Sequence, residues 1–173
     1  MHSKTSFQIL IETPRGSNGK LKYEPKLQLF TLHHVLSKGF EFPYDFGFIP
    51  STLGEDGDPL DVLVLCDAKV YPGCLVNIRL IGVLEAEQTL HGEKQRNDRL
   101  IAIEENSPTW KKIKQLRDLP EILVDEIENF FISYNKVRSV KFKLIGKSGV
   151  EAAEKAVEKG LRRFEKKKKS KSK

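Results

Sequence analysis

The 173 residues contain only two cysteines, Cys66 and Cys74. That is too few for a disulfide scaffold, and they are expected to be the reduced thiols of a cytoplasmic protein. No apolar run approaches the length of a membrane span, so no membrane partner is expected. An apolar leader is missing too: Met1 to Ser6 runs directly into Phe7-Gln8-Ile9-Leu10-Ile11-Glu12, and no secretory signal is expected. Nor does the body carry an excess of charge. The formal net charge is +6, but the segment 166–173 alone holds six lysines and no acid, leaving 24 basic against 24 acidic residues elsewhere. A basic nucleic-acid-binding body is thereby excluded, and no specific nucleic-acid partner is expected. The tail 166–173 is expected to be disordered, the frayed and solvated end of a last helix. No internal repeat or domain boundary precedes it, so 1–165 is expected to be a single domain.

What the chain does have is a dense acidic stretch, Gly54-Glu55-Asp56-Gly57-Asp58-Pro59-Leu60-Asp61, followed at once by Val62-Leu63-Val64-Leu65. Gly57 and Pro59 oppose regular structure before Asp61, and the apolar run predicts a fully buried strand. Carboxylates packed this closely repel one another unless a cation or basic groups neutralise them. Hard oxygen ligands of this kind suit Mg²⁺, Mn²⁺ or Ca²⁺.

Upstream, Phe7–Glu12, Lys20–Glu24 and Leu27–Leu32 predict strands, the last two a hairpin. The period of two places Lys22 and Glu24 on one face, and sends adjacent His33 and His34 to opposite faces. The aromatic stretch 40–50 predicts core or a water-poor cavity wall. Downstream, a long strand from Leu75 to Ala86 is expected to bend at Gly82. A loop at His91–Lys94 and a strand at Leu100–Ile103 follow. Asp118-Leu119-Pro120-Glu121 predicts a helix start capped by Asp118, with Leu123, Ile127, Phe130, Phe131 and Tyr134 on one face. A strand over Val140–Ile145 precedes a capping box, Ser148-Gly149-Val150-Glu151, and a last helix carrying Ala153, Ala156, Val157, Leu161 and Phe164 on its apolar side. The pattern predicts one α+β domain, a small barrel with helices on one side.

Glu12, the three aspartates and the Glu87–Asp98 region offer oxygen ligands. Lys22, Arg99, Lys136 and one of His33 or His34 could bind an anion. Together they suggest a metal-bridged phosphate site.

The stretch Asp56-Gly57-Asp58-Pro59-Leu60-Asp61-Val62 resembles the Asp-x-Asp-Pro-x-Asp-Val signature of the soluble family I inorganic pyrophosphatases. Ile11-Glu12, Lys22-Tyr23-Glu24, Phe42-Pro43-x-x-Phe46-Gly47-Phe48-Ile49 and the segment from Asp118 to Tyr134 match further family motifs in the same order. The resemblance covers roughly residues 7 to 137. It implies an OB-type five-stranded β-barrel with flanking helices, a homo-oligomer, and Mg²⁺-dependent (or Mn²⁺-dependent) hydrolysis of pyrophosphate. On matching positions it implies Asp56 and Asp61 as metal ligands and Asp58 as general base on a metal-bridging water. Glu12 would hold metal-bound water, Lys22 and Tyr134 would contact phosphate, and Glu24 would support that end. The resemblance also shows departures. Phe42 and Phe46 stand where the family has active-site tyrosines, and His33 or His34 falls near its phosphate-binding arginine, with His34 the candidate here. Its Asp-Glu metal pair falls near Glu87-Gln88-Thr89 and its Asp-x-Lys on Asn97-Asp98-Arg99. Glu87, Asn97 and Asp98 are thus the candidate remaining ligands, with Arg99 and Lys136 as phosphate contacts. The competing expectation is a scaffold that hydrolyses another phosphoanhydride, or binds a metal–phosphate ligand without turnover.

Overall fold

The computed structural model describes residues 6–171. Strand β1 (Phe7–Thr13) is followed by a hairpin of β2 (Gly19–Glu24) and β3 (Leu29–Val35). The aromatic stretch, expected as core or a cavity wall, also contains a strand of its own, β4 (Asp45–Ile49). The acidic loop then opens β5 (Leu60–Leu65). Strand β6 (Leu75–Leu90) runs beyond the expected end at Ala86, and the expected loop at His91–Lys94 narrows to a turn before β7 (Glu93–Arg96). Positive φ at His91 and Gly92 makes that turn tight enough for β6 and β7 to pair. Strand β8 (Arg99–Glu104), helix α1 (Glu121–Val137), strand β9 (Lys141–Ser148) and helix α2 (Val150–Lys171) complete the order.

Five strands close into a ring. β1 pairs antiparallel with β4 and β4 with β5, β5 runs parallel to β8, and β8 and β1 both pair antiparallel with β6. β7 and β9 extend the sheet from β6, and β2–β3 forms a separate two-stranded ribbon. Because side chains alternate along a strand, β5 feeds two cores. Val62 and Val64 join Ile9, Ile11, Ile78, Leu80, Leu100 and Ala102 in a cluster drawn from the ring strands and covered by Ala153 and Val157 of α2. Leu63 and Leu65 face the other way, against Leu123, Ile127, Phe130 and Phe131 of α1. The α+β, OB-like expectation agrees with this architecture, and burial of β5 on both faces explains its unbroken apolar run.

Gly82 sits at a register shift in β6, where the expected bend falls. A Cβ there would lie 2.7 Å from the Ser148 carbonyl and 2.9 Å from Leu116, so only glycine fits. Two expected helix caps are corrected. Asp118 accepts from the Lys114 and Gln115 backbones and closes a short 3₁₀ turn, while Pro120 stands at the N-cap of α1 without a side-chain bond. The Ser148 hydroxyl donates to Glu85 at 2.5 Å instead of capping α2, because β9 extends through it beside β6. Leu161, expected on the apolar face of α2, is exposed. Helix α2 continues through Lys166–Lys169 to Lys171; positions 172 and 173 of the expected disordered tail lie outside the described residues. Among the described residues no helix is long and apolar enough to cross a membrane.

Candidate active site

The acidic loop is held by its own backbone. Gly54 N–H donates to the Asp58 carbonyl at 2.7 Å and Gly57 N–H to the Gly54 carbonyl at 3.3 Å. Gly57 takes φ +85, a conformation side chains rarely adopt, and the Asp56 carboxylate accepts the Asp58 N–H at 3.1 Å. Thr52 Oγ1 donates to the Ile49 carbonyl and accepts the Leu60 N–H, fixing the loop to the ends of β4 and β5.

Asp56, Asp58 and Asp61 line a cleft of about 460 Å³. Glu12, Lys20, Lys22, Asn97, Arg99 and Tyr134 line it too, with Phe42, Phe46 and Phe131 as an apolar wall. Two β-bulges aim side chains at this cleft. β1 pairs Ile11 with Gly47 and Thr13 with Phe46, leaving Glu12 as the extra residue. β3 pairs His34 with Lys20 and Leu32 with Leu21, leaving His33 extra. The bulge breaks the alternation that sends neighbouring histidines to opposite faces. His33 therefore lines the cleft, and His34 meets the hydroxyl of Tyr134 at 2.6 Å.

Charges across the cleft are paired. Arg99 lies 2.7 Å from Asp61, and Lys22 lies 3.3 Å from Asp58. Arg99 also donates to the Asn97 side-chain oxygen, while the Asn97 amide donates to Gln88 at 2.6 Å. Arg99 is buried, and its Nε has no hydrogen-bond partner among the described residues. Lys20 is buried beside Glu12, 3.6 Å away, with its ammonium 3.8 Å from the centre of the Phe46 ring. Burial pushes the Lys20 ammonium down to about 8 against the attraction of Glu12. Burial likewise raises Glu12, opposed by Lys20 and by the Tyr23 N–H it accepts at 2.7 Å. Asp56 is raised by burial, with the charges of Asp61 and Asp58 adding to it. Tyr134 is pushed up to about 12 by burial and stays protonated as a donor.

Several expected residues are not brought here. Glu87 is paired with Lys94 at 2.7 Å and shares a separate hollow with Lys136. Lys136 lies outside the cleft, while its neighbour Asn135 is buried and donates to the Phe131 carbonyl one turn back in α1. Asp98 is held by Arg96 and by the Ala86 N–H, each at 3.0 Å, and lines a neighbouring hollow that Asp56, Asp61 and Asn97 also border. Glu24 turns its carboxylate to the Lys26 backbone. Sequence reasoning missed Lys20, Gln88 and Arg138, which all line the cleft. The alternation that puts Lys20 on the face of Lys22 was the available signal for the first; the others follow from how α1 and the β6–β7 hairpin dock.

Among the described residues no three His, Cys, Asp or Glu side chains stand close enough together to hold a metal ion in this conformation. Asp61 and Asp58 face Arg99 and Lys22 instead, so basic side chains supply the counter-charge. The donor set of Asp56, Asp58, Asp61 and Glu12 nonetheless fits a hard divalent cation: all are oxygens on one cleft, and the charges of Asp58 and Asp61 disfavour ionisation of Asp56. The facing amides of Asn97 and Gln88 fit such an ion less well, having neutral oxygens already engaged.

The inorganic pyrophosphatase profile matches residues 9–165. The chain belongs to the inorganic pyrophosphatase family. It is 37% identical to the inorganic pyrophosphatase of Leifsonia xyli over 162 residues, covering 93% of this chain and 97% of that one. The structure of the Thermus thermophilus inorganic pyrophosphatase superposes with a TM-score of 0.86 at 34% identity, covering 95% of this chain and 94% of that one. The Helicobacter pylori enzyme matches at the same TM-score with 32% identity, covering 95% and 96%.

Proposed function

We propose that this cleft hydrolyses inorganic pyrophosphate to two phosphates, with Asp58 as the proton acceptor. The observation that carries this reading is the convergence of Asp56, Asp58 and Asp61 with Lys22 and Arg99 on one cleft, in a chain of this family. Asp56 and Asp61, with Glu12 behind them, hold the cation; Mg²⁺ is the proposed ion and Mn²⁺ the second candidate. When bound, it supplies Lewis-acid polarisation of phosphoryl oxygens and acidifies water. Asp58 is exposed and only loosely tied to Lys22, so its carboxylate is free to take a proton from water attacking phosphorus. As the new P–O bond forms, the bridging P–O bond breaks and its oxygen leaves on the second phosphate. Lys22 and Arg99 neutralise charge on the phosphoryl oxygens, with Tyr134 as a neutral donor. Phe42, Phe46 and Phe131 keep that side of the cleft poor in water. Glu87, Asp98, Lys136 and Glu24 have no direct part in this scheme, and His34 acts through Tyr134.

The test is phosphate release from pyrophosphate with Mg²⁺, and separately Mn²⁺, for wild type and Asp58→Ala, with ATP alongside. Asp58→Ala is expected to lower the rate about a hundredfold to ten-thousandfold. Release from ATP but not from pyrophosphate would sink the assignment. We also propose a cytoplasmic homo-oligomer. Leu27, Leu29, Leu32 and Val35 stand exposed along the β2–β3 ribbon and favour that assembly, and light scattering that gives a monomer mass would refute it.

A further inference from the structure

We propose that Lys20 is a third phosphate-binding cation, reaching pyrophosphate from the aromatic wall of the cleft. The inference rests on the pyrophosphate reading and adds to it a residue that the acidic signature does not predict. Lys20 is only 9% exposed, yet it lines the cleft. Its ammonium lies over Phe46 at 3.8 Å and near Phe42 at 5.7 Å. An apolar side chain would pack against those rings with no desolvation cost, so a buried lysine here is a burden on stability unless its charge is used.

The charge is poorly used within the protein. An ammonium has three donors. Its carboxylate neighbour Glu12 is 3.6 Å away, well beyond the roughly 2.7–2.9 Å of a charge-assisted bond. The other Glu12 oxygen already accepts the Tyr23 N–H. By contrast Arg99 meets Asp61 at 2.7 Å, and the Lys22 side chain, 3.3 Å from Asp58, stands 41% exposed, where water serves its spare donors. Lys20 is therefore a buried cleft ammonium with donors to spare. The ring faces of Phe42, Phe46 and Phe131 carry no hydroxyl, so on that wall the ammonium is what can bond a phosphate oxygen. Its cation–π contact with Phe46 holds the head in place before substrate arrives.

The experiment titrates imidodiphosphate, the nitrogen-bridged analogue, with Mg²⁺ into wild type, Lys20→Met and Lys20→Arg by calorimetry, with steady-state kinetics on pyrophosphate and thermal melting beside it. Lys20→Met is expected to weaken imidodiphosphate binding about tenfold to a hundredfold and to raise KM more than it lowers kcat. Lys20→Arg should recover most of the binding, and the melting temperature of Lys20→Met should be unchanged or higher. If Lys20→Met does not fold, the ¹⁵N resonance of the Lys20 ammonium in the wild type decides, and it should move as imidodiphosphate saturates the protein. Binding by Lys20→Met within twofold of wild type, or an unmoved resonance at saturation, overturns the proposal. A wild type that binds imidodiphosphate but shows no effect of Lys20 refutes this inference alone. A wild type that binds neither imidodiphosphate nor pyrophosphate refutes the pyrophosphate reading beneath it.

Discussion

The two walls of the cleft are built differently. Asp56 and Asp58 come from one loop, shaped by its own backbone bonds and by Gly57, and Asp61 follows at the start of β5. The facing side takes Lys20 from β2, Gln88 from β6, Asn97 from the β7–β8 connection and Arg99 from β8. The loop wall is rich in charge that wants a cation. The assembled wall chains neutral amides to one guanidinium, from Gln88 through Asn97 and Arg99 to Asp61. On the loop wall a side chain is placed by local sequence, whereas on the assembled wall it is placed by pairing register. Changes to the first should therefore strike chemistry directly, and changes to the second should retune it.

Asp61→Ala is expected to have the largest effect. It leaves Arg99, with a side chain 7% exposed, without its carboxylate. Urea unfolding should show a loss of about 2–4 kcal/mol, and phosphate release should fall at least as far as in Asp58→Ala. A loss no larger than that of Gln88→Ala would erase the contrast between the walls. Asn97→Asp should come next. It puts a carboxylate on the amide wall beside Asp61, and the Mg²⁺ concentration for half-maximal rate is expected to drop roughly threefold to tenfold. An unchanged Mg²⁺ dependence would mean that Asn97 lies too far from the bound ion to matter.

Tyr134→Phe removes one hydroxyl and its 2.6 Å contact with His34. The expected cost is about 1 kcal/mol in stability and a KM raised about twofold to tenfold. The smallest effect concerns His34 itself. Burial, with Arg138, His33 and Lys20 nearby, pushes its folded-state pKa down from 6.5 to about 4. As pH falls through that window the unfolded chain takes up the proton before the folded one, so His34 makes stability fall with acidification. The ring is only half-buried, so the contribution is about 1 kcal/mol or less. His34→Asn should flatten the urea-unfolding profile between pH 6.5 and 4 by that amount, and parallel profiles for the two proteins would refute it.

Much of this molecule is legible in its residue order, and the illegible parts have a common cause. The buried strand after Asp61, the hairpin of β2 and β3 and the apolar face of α1 follow from periodicity, because strand and helix repeats are local. The extra length of β6 does not, since its polar end from Glu85 to Gln88 is stabilised by pairing with β7 and β9. Glu87 looks like a ligand in the sequence, but the hairpin register turns it to Lys94.

The sequence by itself determined the acidic loop, the strand that carries Lys22 and the membership that follows from the order of these motifs. These depend on neighbours within a few residues, where backbone geometry is fixed by glycine, proline and period. Only the tertiary structure decided which of them share a cleft. One-residue bulges at Glu12 and His33 re-aim side chains without leaving any mark in composition. Lys20 became a buried cation only once the Phe42–Phe46 wall folded over it. Desolvation and charge pairing act through space, and residues far apart in the chain are what supply them.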